Sequence, residues 1–220
     1  MNIEGLCERE LPGLLAQAAE RFDDDPGHDL QHALRVARWT LRLSDGQVPP
    51  RLALAAAVLH DIVNLPKDSP DRAQASERSA AVAREWLPRW GLSGAEIVLV
   101  AEAIRDHSFS RGATPRTPLG RALQDADRLE ALGALGLMRC LSAGARMGAR
   151  FFHPSDPWAS GRPLDDRQYS VDHLFTKLLG LAQTLCTEGG RLEARRRIAF
   201  LRSFLAALAS EIEAPLTDER

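Results

Sequence analysis

The chain has 220 residues, of which 45% are hydrophobic and 26% charged, and its formal net charge is −2 at pH 7. This balance suits one folded domain with a sizeable apolar core and excludes the composition of a disordered chain. The nearly neutral charge argues against a protein that binds a nucleic-acid duplex through bulk positive charge, although a local basic pocket stays open.

The cysteines and the apolar runs indicate the compartment. Three widely separated cysteines without zinc-site spacing favour reduced thiols. The longest fully apolar run, 52–59, is too short to span a bilayer, and the first residues lack the pattern of a signal peptide. We therefore expect a soluble, cytoplasmic protein with no membrane partner.

Apolar residues recur at spacings of three and four along most of the chain, which predicts an all-α fold. In chain order, helices are expected over about 12–22, 30–41, 49–60, 76–89, 93–107, 117–132, 133–150, 171–187 and 191–213. Ser93 and Glu96 form a capping-box pattern at the start of one helix. Prolines interrupt 63–75 and 151–169, and the second of these segments is expected to be a long ordered loop.

Histidines and aspartates lie near helix ends at three places along the chain. His60 and Asp61 follow the apolar run 52–59, His32 lies near the start of a helix, and Asp127 lies in an amphipathic stretch. Charged groups at the end of an apolar helix lose favourable solvation unless a partner compensates. A divalent cation is a natural partner, and imidazole with carboxylate suits Mn, Fe, Co, Ni or Zn better than Mg. Any one of these residues alone is more commonly a cap or a surface residue, so the indication comes from their combination.

Three segments together resemble the HD superfamily of metal-dependent phosphohydrolases: His32-x-x-Arg35-Val36, Leu59-His60-Asp61-Ile62 and Asp125-Ala126-Asp127-Arg128-Leu129. The resemblance runs from about residue 28 to the loop 162–166 and the helix of His173. It is nearest to a stand-alone bacterial branch that includes nucleotide pyrophosphohydrolases. It implies a single-domain HD-type helical bundle over 1–220, with a metal-site core at about 28–132 and C-terminal helices at about 133–214 packing on it.

The resemblance implies one divalent metal ion (Mn, Co, Ni, Fe, Zn or Mg) held by His32, His60, Asp61 and Asp127. Open positions on the metal would hold the attacking water and a substrate oxygen. Some members of the family place a carboxylate three residues after the His-Asp pair. Asn64 stands there in this chain and cannot act as a base, so Asp61 or a hydroxide formed by the metal alone would serve.

Several polar residues are candidates for contacts with phosphate. Lys67 follows the His-Asp pair in an irregular loop, and Arg35 lies one helical turn after the first histidine. His107 ends a helix and could bind phosphate or protonate the leaving group, because histidine titrates near neutral pH. His173 and Lys177 share a helix face and could close the pocket. Each also has a plain structural interpretation, such as an exposed lysine, an ion pair or a helix cap.

Three further residues have weaker assignments. His28 is expected to orient His32 from outside the ligand shell. Asp125 is expected to lie in an outer shell or at the surface. Trp158 is the one tryptophan that the sequence places in a loop where it could meet a ligand.

The favoured function is hydrolysis of a nucleotide phosphoester or phosphoanhydride by a metal-bound water, with release of pyrophosphate from a nucleoside triphosphate as one outcome. The alternative is a metal-binding nucleotide sensor with little or no turnover, which Asn64 favours. An oxidative di-iron enzyme would need more histidine ligands than the motif offers. A purely structural bundle does not explain polar residues ending apolar helices at three places. The oligomeric state stays open, a homodimer included.

Overall fold

The computed structural model describes residues 1–22, 27, 29–65, 69 and 71–216. The α-helices are α1 (Ile3–Glu10), α2 (Leu14–Ala19), α3 (Leu30–Leu43), α4 (Pro50–Leu59), α5 (Ala75–Trp86), α6 (Gly94–His107), α7 (Pro118–Glu130), α8 (Gly133–Arg146), α9 (Ser170–His173) and α10 (Glu188–Glu211). The described residues form no sheet, so the all-α fold class is confirmed. None of the described helices is long and apolar enough to cross a membrane.

Contacts between Cα atoms divide the chain into two compact units, Met1–Arg128 and Leu129–Arg220. The first unit contains α1 to α6 and most of α7. The second contains α8 to α10 and the long segment 151–169. The packing of both units into a single domain stays a prediction.

Helix α4 is the buried centre of the first unit. Every residue from Leu52 to Leu59 is at most 3% exposed. A helix that is apolar on all sides is stable only when other elements surround it, and α3, α5 and α6 pack against it. Pro50 begins the helix, where the missing N–H has no partner to lose. Burial continues into His60, so α4 delivers an imidazole into the interior of the unit.

Side-chain caps fix the starts of two helices that matter for the site. The carboxylate of Asp29 accepts a hydrogen bond from the backbone N–H of His32 at 2.7 Å, which sets the first turn of α3. At the start of α6, the N–H of Ser93 donates to the Glu96 carboxylate at 2.7 Å and the N–H of Glu96 donates to the Ser93 hydroxyl at 3.3 Å. The predicted capping box is confirmed.

The segment 151–169 of the second unit is ordered by a buried aspartate that follows it. Asp172 accepts two hydrogen bonds from the Arg162 guanidinium, at 2.6 and 2.8 Å, and one from the N–H of Asp165 at 2.7 Å. The indole N–H of buried Trp158 donates to the carbonyl of Ala214 at 2.8 Å. The ordered loop is therefore confirmed. Trp158 is 4% exposed and belongs to the core of this unit, and its contact with a ligand stays a prediction.

One predicted helix is divided in the structure, and one helix of the structure was not predicted. The expected helix 171–187 is divided into α9, a π-helical turn at Leu174–Leu178 and a 3₁₀ turn at Leu181–Thr184. In the π-helical turn the N–H of Leu179 donates to the carbonyl of Leu174 at 2.9 Å. Helix α1 was not predicted, and the side chain of Asn2 caps it.

Candidate metal centre

Three helices of the first unit bring polar side chains to one place. His32 lies near the start of α3, His60 directly after α4, and Asp127 near the end of α7. The Nε2 atom of His32 lies 3.2 Å from Nε2 of His60 and 3.5 Å from Oδ1 of Asp127. Nε2 of His60 lies 3.9 Å from the same oxygen. One donor atom from each residue lies within 4.8 Å of the others, so the three could hold one metal ion.

A second group of donors shares His60 with the first. Oδ2 of Asp61 lies 3.6 Å from Nε2 of His60, and Oδ1 of Asp61 lies 3.6 Å from Nε2 of His107. The rings of His60 and His107 meet edge to face, with centroids 5.0 Å apart. These three residues could also hold an ion. The two groups together form what we call the His–Asp cluster: His32, His60, Asp61, His107 and Asp127.

Backbone carbonyls orient two of the imidazole rings. Nδ1 of His60 lies 2.7 Å from the carbonyl oxygen of Ala57, and Nδ1 of His107 lies 2.5 Å from that of Ile104. Because a carbonyl oxygen only accepts, each Nδ1 carries the proton, and in the neutral ring Nε2 keeps its lone pair. Metal-binding histidines commonly have this arrangement, in which the outer nitrogen donates and the inner nitrogen faces the metal.

Burial and neighbouring charge set the protonation of two members of the cluster. Burial lowers the pKa of His60 to about 4, because desolvation disfavours the imidazolium. His60 is therefore neutral at pH 7, as a metal ligand must be. Burial would raise the pKa of Asp127, but the hydrogen bond with His32 and the charges of the neighbouring histidines outweigh it and hold that pKa well below its usual range. Asp127 is therefore ionised.

The pKa of His107 is shifted in the opposite direction to that of His60. Burial would lower its pKa, but the hydrogen bond and charge of Asp61 and the charge of Asp127 outweigh burial, and the pKa of His107 is raised. The cluster thus combines nitrogens of buried imidazoles with oxygens of two carboxylates that are 15% and 24% exposed. That donor set fits a divalent ion of the Mn, Fe, Co, Ni or Zn type.

Of the four other predicted residues of the first unit, the structure describes two. Arg35 lies on α3, one turn after His32, and is half-buried. Lys67 and His28 lie outside the described residues. Asp125 is fully buried in α7, so its interpretation as a surface residue is wrong.

Two predicted substrate contacts belong to the second unit. His173 lies at the end of α9, and its Nδ1 lies 2.9 Å from Oδ2 of Asp166. The Thr176 hydroxyl donates to the same oxygen at 3.1 Å. Lys177 lies in the π-helical turn that follows. The part of His173 and Lys177 in substrate binding stays a prediction.

One polar contact beside the cluster was missed at the level of sequence. The hydroxyl of Ser79, buried on α5, accepts a hydrogen bond from the N–H of Val63 at 3.1 Å. Val63 follows Asp61 by two residues, so this contact fixes the turn that carries the carboxylate away from α4. The available signal was a serine beside alanines on one helix, which is too common to indicate a site.

Comparison with known protein families finds a match over the segment that contains the His–Asp cluster. Residues 29–132 match the HD domain family, and this range contains all five members of the His–Asp cluster. A Bacillus thuringiensis protein described as an HD-superfamily hydrolase has a similar solved structure, with 26% sequence identity and a TM-score of 0.69 over 97% of this chain and 100% of that one. The segment 29–132 is therefore similar to the HD domain family, and the similar solved structures include one described as an HD-superfamily hydrolase.

Two further proteins are similar to this chain over most of their length. YpgQ of Bacillus subtilis (strain 168), an uncharacterized protein, is 28% identical over 195 residues, 86% of this chain and 87% of YpgQ. Its crystal structure in complex with ADP has a TM-score of 0.69 at 24% identity, covering 90% of this chain and 95% of that chain. A Lactobacillus plantarum structure has a TM-score of 0.71 at 26% identity, covering 94% and 98%. The HD-type helical fold is confirmed, and the superfamily supports a hydrolase.

Proposed function

We propose that the chain is a metal-dependent phosphohydrolase that cleaves a nucleotide phosphoester or phosphoanhydride. The observation that carries this proposal is the approach of buried His32 and His60 to Asp127, with one donor atom from each within 4.8 Å of the others. Burial of these groups together is unfavourable unless a further charge compensates. A divalent cation would supply that charge and could take part in phosphate hydrolysis.

The proposed ligands are His32, His60, Asp61 and Asp127, holding one divalent ion (Mn, Co, Ni, Fe, Zn or Mg). When bound, such an ion polarises a phosphoryl oxygen and lowers the pKa of a water molecule. The chain's own contribution is to hold His32, His60 and Asp127 together and to set the protonation of two of them. His60 is neutral because it is buried, and Asp127 is ionised because histidines surround it.

His107 is the proposed proton donor or phosphate contact. Its Nε2 lies 3.6 Å from Oδ1 of Asp61. A protonated imidazole at this place can donate to a phosphate oxygen or to the leaving oxygen. Arg35 and Lys67 are proposed to neutralise non-reacting phosphate oxygens, as cations do in phosphoryl transfer. We propose His173 and Lys177 as further substrate contacts.

Nucleotides are the proposed substrate class because YpgQ has been crystallised with ADP. Both phosphate groups of such a ligand carry oxygens that a cation and basic side chains can bind. Pyrophosphate release from a nucleoside triphosphate is one form of the reaction. We place this small-molecule reaction in the cytoplasm, without a membrane or a nucleic-acid duplex as partner.

The test is a substrate panel with stripped and reloaded protein. Chelator-treated protein is reloaded with Mn, Co, Ni or Mg and incubated with nucleoside mono-, di- and triphosphates, and phosphate and pyrophosphate are measured separately. We expect metal-dependent release that falls at least about 100-fold in Asp61→Asn. Asp45→Asn, the same exchange at an exposed position of the first unit, is the matched control and should keep full activity.

A nucleotide sensor with little turnover is the second candidate, favoured by Asn64 at the position where some family members have a carboxylate. Binding of one metal ion and of nucleotide by calorimetry, without release of any product, would support the sensor. Protein that binds no metal and releases no product would contradict both candidates.

A further inference from the structure

We propose that Gln124 positions His107 within the His–Asp cluster, an inference that rests on the proposed function. Gln124 lies on α7 and is only 1% exposed. Its side-chain Nε2 donates to the carbonyl oxygen of Asp106 and to that of Ala113, both at 3.0 Å. Neither contact was expected from the sequence.

The two carbonyl groups lie on either side of His107. Asp106 precedes it in the last turn of α6, and Ala113 follows the 3₁₀ turn Phe109–Arg111. Carbonyl groups in the last turn of a helix have no partner within the helix. An amide nitrogen carries two hydrogens, one for each acceptor. One side chain therefore fixes both ends of the segment 106–113 to α7.

The same helix carries a carboxylate of the cluster. Asp127 follows Gln124 by three residues, so the two side chains lie on neighbouring positions of one helix face. Gln124 thereby sets the place of His107 relative to the helix that supplies Asp127. Movement of the segment 106–113 would change the distance between Nε2 of His107 and Oδ1 of Asp61, now 3.6 Å. Gln124 acts on the reaction through His107, as a positioning residue.

The kinetic test uses two replacements and a matched control. Gln124→Met keeps the length of the side chain and removes both donors, and Gln124→Asn keeps the amide but is one methylene shorter. Gln47→Met makes the first exchange at an exposed position of the same unit. We expect kcat of Gln124→Met to fall about 10- to 100-fold while KM changes less than about 3-fold, because misplacement of a reacting group affects the chemical step. Gln124→Asn should lie between, and Gln47→Met should match the wild type.

A spectroscopic test does not depend on activity. In ¹⁵N NMR spectra of the metal-free protein, the ring signals of His107 should shift or broaden in Gln124→Met, and those of His153, in the second unit, should not. Both side-chain amide protons of Gln124 in the wild type should exchange slowly with solvent.

The outcomes separate the two proposals. Folded Gln124→Met with unchanged kcat and unchanged His107 signals would overturn the role of Gln124. If the wild type hydrolyses no nucleotide, the proposed function fails, and the NMR comparison still decides whether Gln124 fixes His107. If the variants do not fold, slow exchange of the wild-type Gln124 amide supports the inference, and fast exchange overturns it.

Discussion

The Nε2 atoms of His32 and His60 lie 3.2 Å apart, although 28 positions separate the two residues in the chain. Nδ1 of His60 is bonded to the carbonyl of Ala57, so the neutral ring turns its lone pair toward His32. Two buried ring nitrogens at this distance share a proton or face a common cation. The ionised carboxylate of Asp127, 3.5 Å from His32, adds a negative donor to this pair, and the three side chains could hold one metal ion.

Loss of His60 should abolish metal binding, because this residue belongs to both groups of donors. We expect the metal affinity of His60→Ala to fall at least about 100-fold, against binding of one ion by the wild-type chain. Metal content after dialysis is measured by plasma mass spectrometry. His153→Ala, a change in the second unit, is the control and should keep its metal. Full metal content in His60→Ala would contradict the ligand assignment.

Metal should stabilise the folded chain. At a free Mn²⁺ concentration 100 times the Kd, the expected stabilisation is about 2.7 kcal/mol. For a chain of this size, the corresponding rise in Tm is about 5–10 °C. Thermal unfolding is followed by dye fluorescence with and without Mn²⁺. Asp127→Asn should show little rise, and an equal rise in that variant would mean that the ion binds elsewhere.

The long loop of the second unit should depend on Asp172. Asp172→Ala leaves the Arg162 guanidinium without its buried carboxylate, and we expect a loss of about 3 kcal/mol in the free energy of unfolding. Trypsin should cut faster after Arg150, which directly precedes the segment 151–169, and after Arg167, which lies within it. Glu211→Ala, at an exposed position, should behave as wild type. Equal cleavage rates in Asp172→Ala and wild type would show that the loop is held by other contacts.

Cys7 gives a prediction for alkaline pH. Burial, followed by the negative charges of Glu4 and Glu8, raises the pKa of this thiol from 9.0 to about 11. A pKa that is higher in the folded state favours the protonated thiol there, so its contribution to stability is complete below pH 9 and is lost as the pH rises through 11. The advantage of the wild type over Cys7→Ala should shrink by about 2 kcal/mol between pH 8.5 and 11. Urea unfolding in the presence of reductant measures the difference in the free energy of unfolding between the two proteins at each pH. A difference that does not change with pH would mean that the thiol is solvated.

Local patterns were sufficient to predict the central part of the fold. Helix α4 is apolar on every side and begins at a proline, and the Ser93–Glu96 capping box marks the start of α6. The start of α10 was placed three residues late, because two glycines lower helix propensity there. In the structure the Thr187 hydroxyl accepts a hydrogen bond from the N–H of Gly190 at 3.0 Å and caps the helix at Glu188.

The helix predicted over 171–187 begins with a contact that local spacing does not reveal. The expected helix 171–187 begins beside Asp172, which is fixed by Arg162 from ten residues earlier in the chain. A π-helical turn and a 3₁₀ turn then replace regular helix. Spacing of apolar residues does not reveal such a constraint, because it reports only which side of a segment is buried.

The residue types of the candidate site could be predicted from local patterns, but the distances between them could not. Polar residues at the ends of apolar helices indicated His32, His60, Asp61 and Asp127, and the HD resemblance gave them a common role. The approach of His107 to Asp61 and the two hydrogen bonds of Gln124 depend on how α4, α6 and α7 pack. Residue types and local spacing carry no information about those distances.

The most direct test of the metal centre is anomalous diffraction from crystals grown with Zn²⁺. The account predicts one anomalous peak at about 2.0–2.2 Å from Nε2 of His32, Nε2 of His60 and carboxylate oxygens of Asp61 and Asp127. A peak bound to other residues, or no peak at this cluster in crystals of metal-saturated protein, would contradict it.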